Sequence, residues 1–234
     1  GHAIYELNTG DDLIGTTMAG GASMGIHESQ SRFYENIIGR SEAFISLICP
    51  KIKELFPEQF ENVTAHDFYL AVNKAEPSLI RTEADELTYS MHIMVRYEIE
   101  KRLMDGSLST KDLPNEWNRL YKEYLGIDVP CDSMGCLQDS HWSGGALGYF
   151  PSYSLGSAYG AQFLHKMKQD IDIDKLVSEN RIDEVTAWLT EKIHKYGMLL
   201  TPAQLIENAC GEEFNADYYI EYLTEKYNKI YDLK

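Results

Sequence analysis

Apolar residues return at helical spacing in almost every segment of this chain, and β-branched runs are scarce. That pattern confines the fold to packed helices, because a helix buries one face by repeating its apolar positions about every 3.6 residues. Over residues 28–48 the positions Phe33, Ile37, Phe44, Ile45 and Ile48 predict one helix, closed by Pro50. A shorter helix is predicted over 64–74. Pro77 suits the first turn of the longest helix, which runs to about Asp105, stops at Gly106 and spans roughly 40 Å at 1.5 Å per residue. Leu113 and Pro114 open another, ended by Gly126.

Residues 127–148 lose the period and carry Pro130, Gly135, Gly144, Gly145 and Gly148, which predicts a long loop of the kind that often holds function. Helical spacing resumes over 153–169 and continues through 173–177, 182–195, 202–210 and 217–231. Thr201 is placed to cap the helix that Pro202 begins, and Gly211 to stop it. No repeat, low-complexity tract or linker interrupts the series. The expectation is a single all-α domain over residues 1–234, or a large part of one.

Charge and composition narrow the partners. A formal charge of −16 repels nucleic acid phosphates and anionic membranes, and otherwise serves solubility. With 44% apolar and 12% aromatic residues the chain has the material for a filled core, yet no run of 18 apolar residues that would span a bilayer. No secretory leader is visible, and a chain opening on Gly1 leaves its native start open. Four scattered cysteines, Cys49, Cys131, Cys136 and Cys210, read as free thiols of a reducing compartment.

Three groups of residues carry chemistry. The first is His2 with His27-Glu28-Ser29-Gln30-Ser31. The opening Gly-His-Ala-Ile-Tyr-Glu reads as the back half of a helix bearing two metal-binding histidines and a general-base glutamate. Glu28 follows His2 by 26 residues, with Gly15, Gly20, Gly21 and Gly25 letting the chain return. Glu35, at i+7 from Glu28, is a candidate to accept a hydrogen bond from a ligating imidazole. Taken alone, Gly-His at a chain start also reads as a tag remnant, and Glu28 as a solvated helix residue.

The second group is a polar stripe, Arg81, Asp85, Thr88, His92 and Arg96, on the helix predicted to begin at Pro77. A salt-bridged solvent face accounts for such a stripe equally well. The third is Gln138, Asp139, His141 and Trp142, followed by Gly144, Gly145, Gly148, Tyr149 and Tyr153. A histidine held by an aspartate, together with a tyrosine hydroxyl, supplies donors for a developing oxyanion, while the alternative is packing beneath a loop. Cys131, Cys136, Asp139 and His141 offer a rival structural zinc site, but with poor spacing.

Four stretches, GHAIYELN, HESQSRFYEN, LIRTEADE and GCLQDSHW followed by GYFPSYSLG, resemble the Taq-type thermostable carboxypeptidases over residues 1 to about 156. The resemblance implies a large helical metallopeptidase domain related to the angiotensin-converting-enzyme and neurolysin-like folds. It implies that this chain is the C-terminal portion, cut inside the HExGH motif, with the first histidine and the general-base glutamate outside it. Carried over, His2 and Glu28 are zinc ligands, Arg81 binds the substrate's terminal carboxylate with Asp85 one turn on to hold it, and His141 and Tyr153 steady the oxyanion with Tyr149 second. Glu35 and Asp139 would support this site from behind.

The implied reaction is removal of C-terminal amino acids from peptides by a cytoplasmic homodimer that touches neither nucleic acid nor membrane. The chain by itself is then expected to bind zinc poorly and to be inactive. Two other expectations are kept: a non-catalytic helical fragment that only folds or dimerises, and an oligoendopeptidase or dipeptidase of the same zinc clan.

Overall fold

Local capping chemistry decides where several of the helices begin. Thr64 accepts from the Asp67 amide while the Asp67 carboxylate accepts from Thr64, and Thr201 and Gln204 repeat this reciprocal box. At the other ends Gly126 and Gly211 take the left-handed conformation (φ 74° and 81°) that closes a helix without a Cβ penalty. A computed structural model describes residues 1–233. In chain order its α-helices are α1 (His2–Leu7), α2 (Met24–Arg32), α3 (Glu42–Leu55), α4 (Ala65–Val72), α5 (Tyr89–Met104), α6 (Leu113–Leu125), α7 (Pro151–Asp170), α8 (Ile173–Ser178), α9 (Ile182–Lys192), α10 (Pro202–Cys210) and α11 (Asp217–Tyr231). No strand occurs among the described residues, so the fold is all-α as the periodicity predicts.

Two helices depart from expectation. The single helix predicted over 28–48 is instead α2, a π-helical turn at Phe33–Ile38, and α3. Ser41 adopts an extended conformation (φ −74°, ψ 151°) and its hydroxyl accepts from the Phe44 amide, so a new helix starts there. Pro50 lies inside α3 rather than closing it, at the cost of one ladder hydrogen bond. The long helix expected from Pro77 begins only at Tyr89, which leaves 16 residues, about 24 Å, instead of roughly 40 Å. Asp85 is the cause. Its carboxylate accepts from the Thr88 amide and hydroxyl and from the Glu76 amide, holding residues 76–88 as turns with one short 3-10 helix at Arg81–Glu83.

The chain forms two compact units, residues 1–73 with 155 onward, and Lys74–Ser154. In the first, Tyr5, Ile26, Phe33, Phe163, Val185, Leu189 and Leu205 are fully buried around one core. In the second, α5 and α6 pack through Val95, Ile99, Trp117, Leu120 and Tyr121, and a smaller cluster joins Tyr89, Ile93 and Phe150. Burying each such side chain contributes about 1.5–3 kcal/mol.

Each unit also buries a histidine completely. His194 in the first bonds Gln30 (2.8 Å) and Thr190 (3.2 Å), and His92 in the second bonds the Tyr121 hydroxyl (3.1 Å). Desolvation above all depresses both from the ordinary 6.5 to about 4, with the Arg96 charge adding to it at His92. The unfolded chain therefore binds more protons between these values. The stabilisation is complete above pH 6.5 and is lost as the pH falls toward 4. In urea titrations at pH 7.5 and 4.5, His194→Gln should remove about 2–3 kcal/mol of the acid-induced loss. An identical pH dependence in variant and wild type would show that His194 is not held neutral.

Candidate functional site

In the first unit α1 and α2 bring His2 and Glu28 together. Their backbones touch closely: a Cβ on Gly1 would stand 2.3 Å from the Gln30 carbonyl, and one on Gly156 of α7 would stand 2.5 Å from the Glu28 Cβ. Only glycine fits either place. Glu28 is buried as a result, with the Ser31 hydroxyl donating to its Oε2 at 2.7 Å. His2 Nε2 lies 3.6 Å from the same Oε2.

That separation suits a shared metal ion, because two donors at about 2.0–2.2 Å on a tetrahedral centre stand about 3.4 Å apart. Nitrogen and carboxylate oxygen are also ordinary donors for zinc. Among the described residues no group of three or more His, Cys, Asp or Glu side chains is placed to hold a metal, so His2 and Glu28 supply two positions. The rival site at Cys131, Cys136, Asp139 and His141 does not assemble.

Glu35, expected to support a ligating imidazole, bonds none among the described residues. Its partner there is Arg32, from which it accepts at 3.0 Å. Besides Glu28, the side chain that contacts His2 is His27, and behind His27 stands Glu6, which the sequence did not single out. His27 Nδ1 lies 3.2 Å from His2 Nδ1, and His27 Nε2 lies 2.7 Å from Glu6 Oε1. The available signal was Glu6 itself, one helical turn after His2.

The second unit builds around Asp139. One carboxylate oxygen accepts from Arg81 Nε (3.0 Å) and Nη2 (2.7 Å), and the other accepts from Arg96 Nε (2.7 Å). Gln138 accepts from the Arg81 amide and from Arg96, and donates to the Leu79 carbonyl. Burial alone would raise the Asp139 pKa, but the Arg81 hydrogen bonds and the two guanidinium charges hold it below the usual carboxylate value. Two expectations change here. Asp85 caps a turn rather than holding Arg81, and Asp139 secures two arginines rather than His141, whose Nδ1 is 3.9 Å away.

His141 Nε2 and the Tyr153 hydroxyl are 3.1 Å apart, and the Tyr149 ring centroid is 5.6 Å from the imidazole. Burial, reinforced by the Arg81 charge, lowers the His141 pKa, so the ring is neutral at pH 7. Glu100 pins the loop by accepting from the Trp142 indole (2.8 Å) and the Gly148 amide (3.1 Å). The Arg81 guanidinium stacks 4.8 Å from the Tyr153 ring centroid, and its Nη1 donates to the Tyr89 hydroxyl at 2.9 Å. Three of the five N–H groups that a guanidinium carries are thus engaged.

Comparison with known proteins agrees with these motifs. A family model for the carboxypeptidase Taq (M32) metallopeptidases matches residues 1–227. Carboxypeptidase 1 of Bacillus subtilis (strain 168) is 50% identical over 232 residues, which are 99% of this chain and 46% of that protein. Thermostable carboxypeptidase 1 of Pyrococcus furiosus is 45% identical over 228 residues, 97% of this chain and 46% of that protein. The crystal structure of an M32 carboxypeptidase from Deinococcus radiodurans R1 superposes with a TM-score of 0.96 at 39% identity, covering 100% of this chain and 47% of that one. The chain spans about half the length of the curated relatives it matches.

Proposed function

The chain belongs to the carboxypeptidase Taq (M32) metallopeptidase family, and from that premise we propose that the protein removes C-terminal amino acids from peptides by zinc-assisted hydrolysis. The observation that carries this reading is the His2–Glu28 pair, a nitrogen and a buried carboxylate oxygen 3.6 Å apart. When bound, zinc supplies Lewis-acid polarisation of the scissile carbonyl and lowers the pKa of the attacking water to about 7. A catalytic ion usually has three protein ligands. The third is proposed to come from the portion of the relatives that this chain does not span.

The remaining roles belong to the second unit. Tyr153, with Tyr149 beside it, donates its hydroxyl proton in a hydrogen bond to the oxygen that becomes negative in the transition state. His141 is neutral, so its Nε2 either donates to the same oxygen or orients the Tyr153 hydroxyl. Arg81 takes the substrate's terminal carboxylate. Asp139 and Tyr89 fix its guanidinium and leave one N–H on each terminal nitrogen, the pair a bidentate carboxylate needs. The same reading takes the protein as a cytoplasmic homodimer. Four free cysteines fit a reducing compartment, and no helix of the described residues is long and apolar enough to cross a membrane.

Arg81→Ala tests the substrate assignment. Hydrolysis of peptides with a free C-terminus should fall about 10- to 150-fold, the equivalent of a charge-assisted hydrogen bond worth about 1.5–3 kcal/mol. Peptides amidated at the C-terminus lack the carboxylate and should lose far less. Equal losses on both would make Arg81 a structural residue and remove the argument for a carboxypeptidase.

A further inference from the structure

His2 and Glu6 lie four residues apart on α1, so both face the same side, and His27 of α2 sits between them. The His27 ring is held there. It packs 5.0 Å from the Tyr5 ring, and a Cβ on Gly21 would come within 2.4 Å of its Cδ2, so a side chain at 21 would displace it. The protons in this row follow from donor and acceptor chemistry. An ionised carboxylate only accepts, so Glu6 Oε1 takes the hydrogen on His27 Nε2. A neutral imidazole with its proton on Nε2 presents a lone pair at Nδ1. His27 Nδ1 therefore accepts, and His2 Nδ1 carries the proton it receives. What remains on His2 is a bare Nε2, turned toward Glu28 Oε2.

We propose that His27 and Glu6 are positioning residues that lock His2 in the tautomer presenting the Nε2 lone pair beside Glu28. The lone pair is what a metal ion requires, and partners of this kind fix both ring orientation and ligand basicity. The side chains are unequally sheltered: His27 is 14% exposed, against 49% for His2 and 52% for Glu6. The sheltered middle member is the one whose removal should matter most. This inference rests on the metal role of His2 given above, but the tautomer is measurable without metal.

Two measurements on the protein carrying this chain decide it. In the metal-free protein with 15N-labelled histidine, imidazole shifts at pH 8 should show the Nδ1–H form of His2. His27→Phe, which keeps a ring but no nitrogen, should convert His2 to a tautomer mixture. Zinc affinity, read by competition with a chelator, should fall about 10- to 100-fold in His27→Phe and less in Glu6→Gln. His27→Gln, whose amide oxygen can still accept from His2, should recover part of the affinity. An Nε2–H form of His2 in the wild type, or an unchanged affinity in His27→Phe, overturns the proposal. The variant His2→Ala separates the two readings. If it leaves zinc affinity intact, His2 is no ligand and the metal assignment fails, while the tautomer spectra still decide the relay.

Discussion

Replacing Asp139 by Ala is expected to destabilise the second unit by about 3–5 kcal/mol. Asp139 is the anion shared by two guanidinium groups, and neither has an easy way out of the protein. The Arg81 side chain is 7% exposed and that of Arg96 is wholly buried beneath Trp117 and Phe150. Removing one partner of a buried pair leaves its charge desolvated and unpaired, which is why the loss exceeds that of a surface ion pair. Asp139→Asn keeps the shape and one accepting oxygen and should lose a smaller part. Urea unfolding followed by tryptophan fluorescence is a suitable readout, because Trp117 and Trp142 both lie in this unit. A lower midpoint at unchanged slope is the expected result. A loss below about 1 kcal/mol would show that the two arginines find other partners and that Asp139 is not the anchor of this network.

The folded Asp139 carboxyl titrates below its ordinary value, so its contribution is fully present at neutral pH and above the ordinary Asp range. It fades only as the pH drops through the lowered pKa. This acid dependence lies below that of the two buried histidines, which begins near pH 6.5. The two can therefore be told apart in one pH series.

Helix ends proved legible wherever the stop or start signal is local. Thr64, Thr201 with Pro202, Gly126 and Gly211 sit within a few residues of the groups they satisfy, so the pattern and the structure agree. Pro77 misled because a proline opens helices and loops alike, and the deciding residue is Asp85, whose carboxylate gathers the Thr88 and Glu76 groups into turns. The spacing of Arg81, Asp85, Thr88 and His92 matches a helical stripe only by coincidence, since the first three precede α5.

The site divides in the same way. His2 and Glu28 were legible through motifs, and the structure sets them side by side within the first unit. Partnerships between distant residues were not. Arg81 finds Asp139 58 positions away, and His27 finds Glu6 21 positions away, and neither separation leaves a periodic trace in the chain. Residue types were enough to nominate Asp139 as a support, but only packing shows what it supports.

The central claim is that Glu28 is a metal ligand of a carboxypeptidase, and Glu28→Gln tests it most directly. The amide keeps the size of the buried side chain and can still accept from Ser31, but it lacks the negative charge that holds a divalent cation. Metal assistance supplies several kcal/mol of transition-state stabilisation, so losing the ion should cost on the order of a thousandfold in turnover. The measurement pairs zinc content, by elemental mass spectrometry, with product masses from a peptide blocked at its N-terminus. It uses the protein that carries this chain. The wild type should hold zinc and shorten the peptide one residue at a time from the free C-terminus, and Glu28→Gln should lose both properties together. Full zinc content and undiminished turnover in Glu28→Gln, or internal cleavage by the wild type, would contradict the account.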